Sequence, residues 1–242
     1  MFGSTEPQSY VQTSHYNDFP QWSQVVEKNE DQFRAYQRSF LSAIQAVIRK
    51  GRLLDVGCSL GLLVDEANRL GYVAEGVDLD SHAVEFAKAK GRPVSLGRLE
   101  ELESGNYDVI CLSHTLEHIA QPKEFLTECI RHLAPDGILA VAVPCHAGLL
   151  PKLFPKWWYG WMPAQHYRHY SAKAMETPFL NAGIQPMRMC QTSMDHRLKA
   201  EYIQRWQDLI KGVIVRTTAF VGNAFGSGDQ LIAIGKVAPN RS

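Results

Sequence analysis

The 242-residue sequence predicts a doubly wound α/β fold, a largely parallel sheet with helices on both faces. Three observations carry that expectation. Short apolar runs alternate with amphipathic stretches between residues 53 and 143, the pattern of parallel strands joined by crossover helices. Turns marked by glycine or proline separate them, at Gly51, Gly71, Gly91-Arg92-Pro93 and Pro135-Asp136-Gly137. A strand, a glycine turn and a helix start follow one another in Leu53-Leu54-Asp55-Val56-Gly57-Cys58-Ser59-Leu60-Gly61, with Asp78 about 20 residues on. Such a unit holds the ribose and polar tail of a nucleoside ligand.

The elements follow in order. Residues 1–24 are polar with interspersed Tyr10, Tyr16, Phe19 and Trp22, and are expected to be a mobile leader. A helix from about 27 to 50 is written by Phe33, Tyr36, Phe40, Ile44 and Val47, and Gly51 stops it. Residues 1–50 are thus a leader and helix, and residues 51–242 the main domain. That domain opens with strand 53–56, helix 62–70, strand 73–77 and a helix 81–90 capped by Ser81. Strands 94–96 and 108–112, helix 122–133 and strand 138–143, ended by Pro144, come next. Residues 145–171 form an aromatic insertion with Trp157, Trp158 and Trp161. A helix over 172–182, shortened or kinked at Pro178, a strand 185–192, a helix 196–222 and a strand 230–237 complete the chain.

Bulk properties narrow the partners. Lys and Arg number 25 and so do Asp and Glu, so no net field draws nucleic acid. The five cysteines are scattered without a C-x-x-C pair, which fits a reducing, cytoplasmic compartment. The N-terminus lacks a basic and apolar signal pattern, and no run of about 18 apolar residues exists, so stable membrane insertion is not expected.

The turn has the spacing D-x-G-x-x-x-G, from Asp55 to Gly61, rather than G-x-G-x-x-G. It resembles motif I of the class I, Rossmann-like S-adenosylmethionine-dependent methyltransferases. The resemblance runs from about residue 53 to 183 and includes a Leu116-Glu117-His118 signature after the fourth strand and the Pro135-Asp136-Gly137 turn. It implies a mostly parallel sheet with an antiparallel last strand, S-adenosyl-L-methionine as cofactor, and a small-molecule acceptor. Cofactor contacts are implied for Asp55, Gly57, Cys58, Ser59, Gly61, Asp78, Leu79, Leu99 and Ser113. Gly57 lets backbone approach the methionine moiety, and the helix start offers N–H groups to its carboxylate. Asp55 suits the ammonium, Asp78 the ribose hydroxyls and Leu79 the adenine face. Two residues depart from the pattern. Ser59 stands at a glycine position, and Arg98 stands where relatives often carry an acid, leaving Glu100 as a substitute.

Methyl transfer to a hydroxyl needs a base, and histidine titrates in the right range. His118 and His166 are the candidate catalytic bases, with Glu117 orienting. His118 is otherwise a loop buttress, and His166 otherwise packs against it. His166 and Tyr170 fit the histidine and aromatic places of the family's H-x-x-x-F-S stretch, which lies over the acceptor pocket. His114, His146, Trp158, His169 and Tyr170 are candidate acceptor contacts. The tryptophan-rich segment is either a lid or wall over the acceptor, or a satellite core or dimer contact. Residues 209–216 are amphipathic and expected to cover the sheet rather than meet a membrane surface. His114-Thr115-Leu116-Glu117-His118 also spells H-x-x-E-H, the inverted zinc-peptidase motif, which requires a helix. No metal is expected, although Glu117 and His118 with a neighbour offer a divalent-ion alternative.

The expected function is therefore methyl transfer from S-adenosylmethionine to a small-molecule or glycan-precursor acceptor, at oxygen. Its alternatives are a non-catalytic S-adenosylmethionine-binding module of the same fold and a metal-dependent hydrolase using His114, Glu117 and His118. Expected partners are the small-molecule or sugar acceptor and, as one reading of the aromatic segment, a second copy of the chain.

Overall fold

A computed structural model describes residues 19–103, 105–162, 164–193 and 206–238. The strands are β1 (Arg52–Val56), β2 (Val73–Asp78), β3 (Val94–Leu96), β4 (Tyr107–Ser113), β5 (Leu133–Pro144), β6 (Ile184–Thr192) and β7 (Gln230–Val237). They form one sheet in the order β3-β2-β1-β4-β5-β7-β6. Pairings from β3 through β5 are parallel, and β7 runs antiparallel to both β5 and β6. The doubly wound expectation and the antiparallel last strand both hold.

The strands are apolar on both faces because helices cover both. Successive residues of one strand point to opposite sides. Leu53, Val109, Cys111, Ile138, Ala140 and Ile234 therefore join one core. Leu54, Ile110, Leu112, Leu139, Val141 and Ala233 join the other. The first core is closed by α2 (Glu30–Gln45), α3 (Leu62–Arg69) and α4 (Ser81–Ala89), through Phe40, Ile44, Leu63, Val64 and Val84. The second is closed by α5 (Pro122–Arg131) and α7 (Ala172–Asn181), through Phe125, Leu126, Met175 and Phe179.

Several local expectations change. A helix α1 (Phe19–Lys28) occupies the end of the stretch read as leader, while residues 1–18 lie outside the described residues. The predicted helix over 27–50 is split near Asn29 and ends at Gln45. Pro135-Asp136-Gly137 is a bulge within β5: Tyr107 pairs with Leu133, and Val109 next pairs with Ile138. Pro178 lies inside α7 without ending it. The helix read over 196–222 is α8 (Trp206–Ala224), and its first part lies outside the described residues.

A buried ion cluster fixes α2 to the body. Arg34 reaches Glu30, Asp65 and Glu66, each at 2.7 Å. Arg92 donates to the Leu60 carbonyl at 2.6 Å and meets Glu30 at 3.3 Å. The glycine turn after β1 is thereby held from its far side.

The antiparallel end strand sets the geometry of the carboxyl edge. Gln230 pairs with both Pro144 of β5 and Thr192 of β6. Both ends of the β6–β7 connection, which carries α8, therefore lie at the edge where β5 ends. Ligands of doubly wound sheets bind at this edge.

Candidate active site

Three left-handed residues shape the turn after β1: Gly57, Ser59 and Gly61, with φ of 77°, 47° and 68°. Gly57 is required because a Cβ there would stand 2.6 Å from Thr115 Oγ1. Thr115 in turn donates to the Val56 carbonyl at 2.9 Å, joining the loops after β1 and β4. Ser59 occupies a conformation that suits glycine, and its N–H donates to Asp78 Oδ2 at 2.7 Å. Asp78 Oδ1 accepts from the Asp80 N–H at 2.9 Å. Each carboxylate oxygen has two lone pairs, so both retain capacity for a diol. Burial raises the Asp78 pKa, against the N–H bonds from Asp80 and Ser59.

Asp55 is 2% exposed, and its Oδ1 has no partner among the described residues. Burial, with the charge of Asp78 adding, pushes its pKa up to about 8. A buried carboxylate with an open oxygen fits a cationic ligand group such as the ammonium of S-adenosylmethionine. The residues present thus fit that cofactor at Asp55, Gly57, Ser59, Gly61 and Asp78. The Cys58 side chain is packed in the core against the β2 backbone, where a Cβ on Gly76 would meet its sulfur at 2.7 Å, leaving its backbone for a ligand. Leu99 also turns its side chain into the core, leaving only its backbone for a ligand. Leu79 is half-buried, and the N–H of Arg98 donates to Glu101, the neighbour of the exposed Glu100. Ser113 donates to Gln37 of α2 at 3.3 Å.

The Leu116-Glu117-His118 signature is a single 3-10 turn. His114 precedes it at φ 57°, so His114 and His118 share no helix face. That removes the structural basis of the inverted zinc-peptidase reading. His114 Nδ1 lies 3.1 Å from Glu117 Oε1, and the Tyr36 ring stands 5.2 Å from the His114 ring. Glu117 is 1% exposed. Burial would raise its pKa, but the His114 hydrogen bond and the nearby His114 and His118 charges prevail and hold it below the usual carboxylate value. Its Oε2 is buried with no partner among the described residues.

His118 and His166 meet edge to face, with ring centroids 4.9 Å apart. Nδ1 of His118 lies 3.0 Å from the Gln165 carbonyl, and Nδ1 of His166 lies 2.9 Å from the Gly160 carbonyl. A carbonyl only accepts, so each Nδ1 carries a proton and each neutral ring keeps its lone pair on Nε2. Burial lowers the His166 pKa, with Glu117 opposing. Glu117, His118 and His166 each offer one ligand atom within 4.8 Å of the others, enough to hold a divalent ion.

The remaining acceptor candidates divide. Tyr170 is buried, and its hydroxyl has no partner among the described residues. His146 is half-buried beside it, its N–H donating to the Tyr170 carbonyl at 3.1 Å. His169 is tied to the Trp161 carbonyl at 2.7 Å and faces the His166 ring at 5.9 Å. Trp158 is buried, with Trp161 edge-on at 4.9 Å. It packs tightly enough that a Cβ on Gly160 would strike it. Trp158 and Trp161 thus pack on one another and on His169, whose ring in turn meets His166. Tyr36, Gln37 and Thr115 were not singled out from the sequence. Tyr36 lay in plain view as a hydroxyl on an otherwise apolar helix stripe.

The family described as "Methyltransferase domain" matches residues 29–187. The ubiquinone biosynthesis O-methyltransferase of Caulobacter sp. (strain K31) is 35% identical over 124 residues, 46% of this chain and 49% of that protein. The mitochondrial protein of the same name from Schizosaccharomyces pombe is 34% identical over 101 residues, 38% of this chain and 37% of its own length. The chain thus spans about half the length, or less, of these curated relatives. A solved Thermotoga maritima SAM-dependent methyltransferase, described as a possible histamine N-methyltransferase, superposes with a TM-score of 0.65 at 17% identity, covering 91% of this chain and 98% of that one. A SAM-dependent methyltransferase of Archaeoglobus fulgidus gives 0.62 at 16% identity, with 89% and 99% covered. At these identities the structural likeness shows the fold alone.

Proposed function

The chain belongs to the class I, S-adenosylmethionine-dependent methyltransferases, and from that premise we propose that it methylates an oxygen of a small-molecule acceptor. When bound, S-adenosylmethionine supplies an electrophilic methyl group. Asp55 would take its ammonium and Asp78 its ribose hydroxyls, with Gly57, Ser59 and Gly61 giving close backbone approach.

The observation that carries the oxygen assignment is the histidine pair. A hydroxyl acceptor must lose a proton as the new bond forms, and His166, its Nδ1 tied to the Gly160 carbonyl and its ring against that of His118, has Nε2 as its proton-accepting atom. His166 is kept neutral by burial, ready to accept that proton at Nε2. Glu117, ionised and half-satisfied, orients His114 with one oxygen and stabilises a protonated histidine with its field. Buried Trp158, packed on His169 beside the His166 ring, limits water there. The curated relatives are named for O-methylation in ubiquinone biosynthesis, which supports a quinone-related hydroxyl acceptor, for which a catechol is a simple probe, over a sugar.

A second reading rests on the 4.8 Å cluster of Glu117, His118 and His166. Nδ1 bonds to main-chain carbonyls are how metal-ligating histidines are oriented. In that reading Glu117, His118 and His166 would hold a divalent ion, which would supply Lewis-acid activation of an acceptor hydroxyl in place of a histidine base. The test is methyl-labelled S-adenosylmethionine incubated with a catechol, with and without chelator. A labelled methyl ether supports the proposal, and its loss on chelation selects the metal reading. Label on nitrogen acceptors alone would overturn the oxygen assignment. Asp78→Ala should abolish cofactor binding seen by calorimetry.

A further inference from the structure

Helix α8 is turned inside out. Its fully buried residues are small, Gly212, Thr218, Ala219 and Gly222, while Ile214, Val215 and Val221 are half-buried. Its outward stripe holds Ile210, Val213, Thr217, Phe220 and Ala224, at the three- and four-residue spacing of one helix face. Ile210 is 56% exposed, Phe220 76%, and Phe225, just beyond the helix, 81%. Covering the sheet, the expected role of this stretch, would have turned the large residues inward.

The surroundings continue the pattern. Helix α6 (Leu149–Leu153) packs against α8 and exposes Leu153. Trp157, Trp161 and Met162 follow it with large exposed surfaces. Residues 137–175 contain no Asp or Glu, yet hold the exposed Lys152, Lys156, Arg168 and Lys173. Residues 209–228 also lack acids and expose Lys211 and Arg216. The chain as a whole is balanced at 25 against 25, so this one-sign region is local. Apart from Lys173 at the start of α7, these exposed residues belong to the β5–α7 and β6–β7 connections at the carboxyl edge of the sheet.

We propose that this edge docks on the surface of an anionic lipid bilayer. Exposed aliphatic and Phe side chains enter the acyl boundary, tryptophans suit the headgroup level, and Lys and Arg meet anionic headgroups. Charge favours this occupant over a second copy of the chain, which would oppose two cationic faces. Docking is peripheral: no described helix is long and apolar enough to cross a membrane. The inference does not depend on which atom is methylated. It places the histidine pair at the lipid boundary, where an acceptor with a long apolar tail would enter.

The test is co-sedimentation of the full chain with vesicles of phosphatidylcholine alone and of an equal mixture with phosphatidylglycerol. Binding is expected to the mixed vesicles and to weaken with added salt. The variant Ile210→Ser/Val213→Ser/Phe220→Ser should bind about tenfold or more weakly. Lys211→Glu/Arg216→Glu should lose the preference for the anionic vesicles. Both variants should keep the parent's circular dichroism and its affinity for S-adenosylmethionine, which separates loss of docking from loss of the cofactor site. No binding to mixed vesicles, or equal binding by the triple variant, overturns the proposal. So does a dimer in light scattering that the triple variant dissolves.

Discussion

The rings of His118 and His166 stand edge to face, 4.9 Å apart, each with its Nδ1 proton committed to a main-chain carbonyl. The two residues are far apart in sequence, one after β4 and the other before α7. Their meeting sets the two rings beside the buried carboxylate of Glu117, with one ligand atom of each residue within 4.8 Å of the others.

His166→Gln should therefore lower kcat by about 10²–10⁴-fold while leaving the dissociation constant for S-adenosylmethionine within about twofold. Steady-state kinetics with calorimetry on the same preparation checks this. A parallel loss of cofactor affinity would mean that His166 only packs.

The pH profile has a definite sign. Burial lowers the His166 pKa from its usual 6.5, so the neutral, proton-accepting form persists to lower pH. Activity should stay level as pH falls through 6.5 and break only below it. A break at or above 6.5, measured as log kcat/KM against pH, would assign the base elsewhere.

Cofactor binding should release a proton. Asp55, raised to about 8, is mostly protonated at pH 7, and an ammonium partner would favour the ionised form. Affinity should rise with pH up to about 8 and then level off. Calorimetry in buffers of different ionisation enthalpy measures the release, and Asp55→Asn should abolish it. The same shift acts on folding. The native state holds this proton more tightly than the unfolded chain, so Asp55 removes stability as pH rises from its unfolded value near 3.8 to about 8.

Much of this was legible in the sequence, for physical reasons. Strands buried on both faces are continuous apolar runs, and glycine punctuates turns, so the sheet and the Asp55–Gly61 turn could be read directly. For Cys58, a place in the motif says nothing about side-chain direction. It points into the core, and only its backbone lines the turn. Tyr36 and Gln37 were missed because α2 was read as a separate leader helix. Long-range ion pairs such as Arg34 to Glu66 have no local signature, yet they bring that helix over the site.

Arg34→Met should destabilise the protein by about 2 kcal/mol, because the buried Glu66 loses its 2.7 Å partner and keeps only the longer contacts to the exposed Arg38 and Arg69. Urea unfolding measures this. A change within about 0.5 kcal/mol would show that the cluster contributes little.

Ser59→Gly should stabilise the protein by roughly 1 kcal/mol, since Ser59 sits at φ 47° and its tie to Asp78 is made by the backbone. Thermal unfolding reads the gain. Cofactor affinity should be unchanged or tighter.

The most direct test of the account is the release of S-adenosylhomocysteine from a catechol reaction by the wild-type chain and by Asp78→Ala and His166→Gln, with cofactor affinity measured in parallel. The account predicts turnover in the wild type, no cofactor binding in Asp78→Ala, and normal binding with turnover reduced at least about a hundredfold in His166→Gln. Turnover in Asp78→Ala at the wild-type rate, or full activity in His166→Gln, would contradict it.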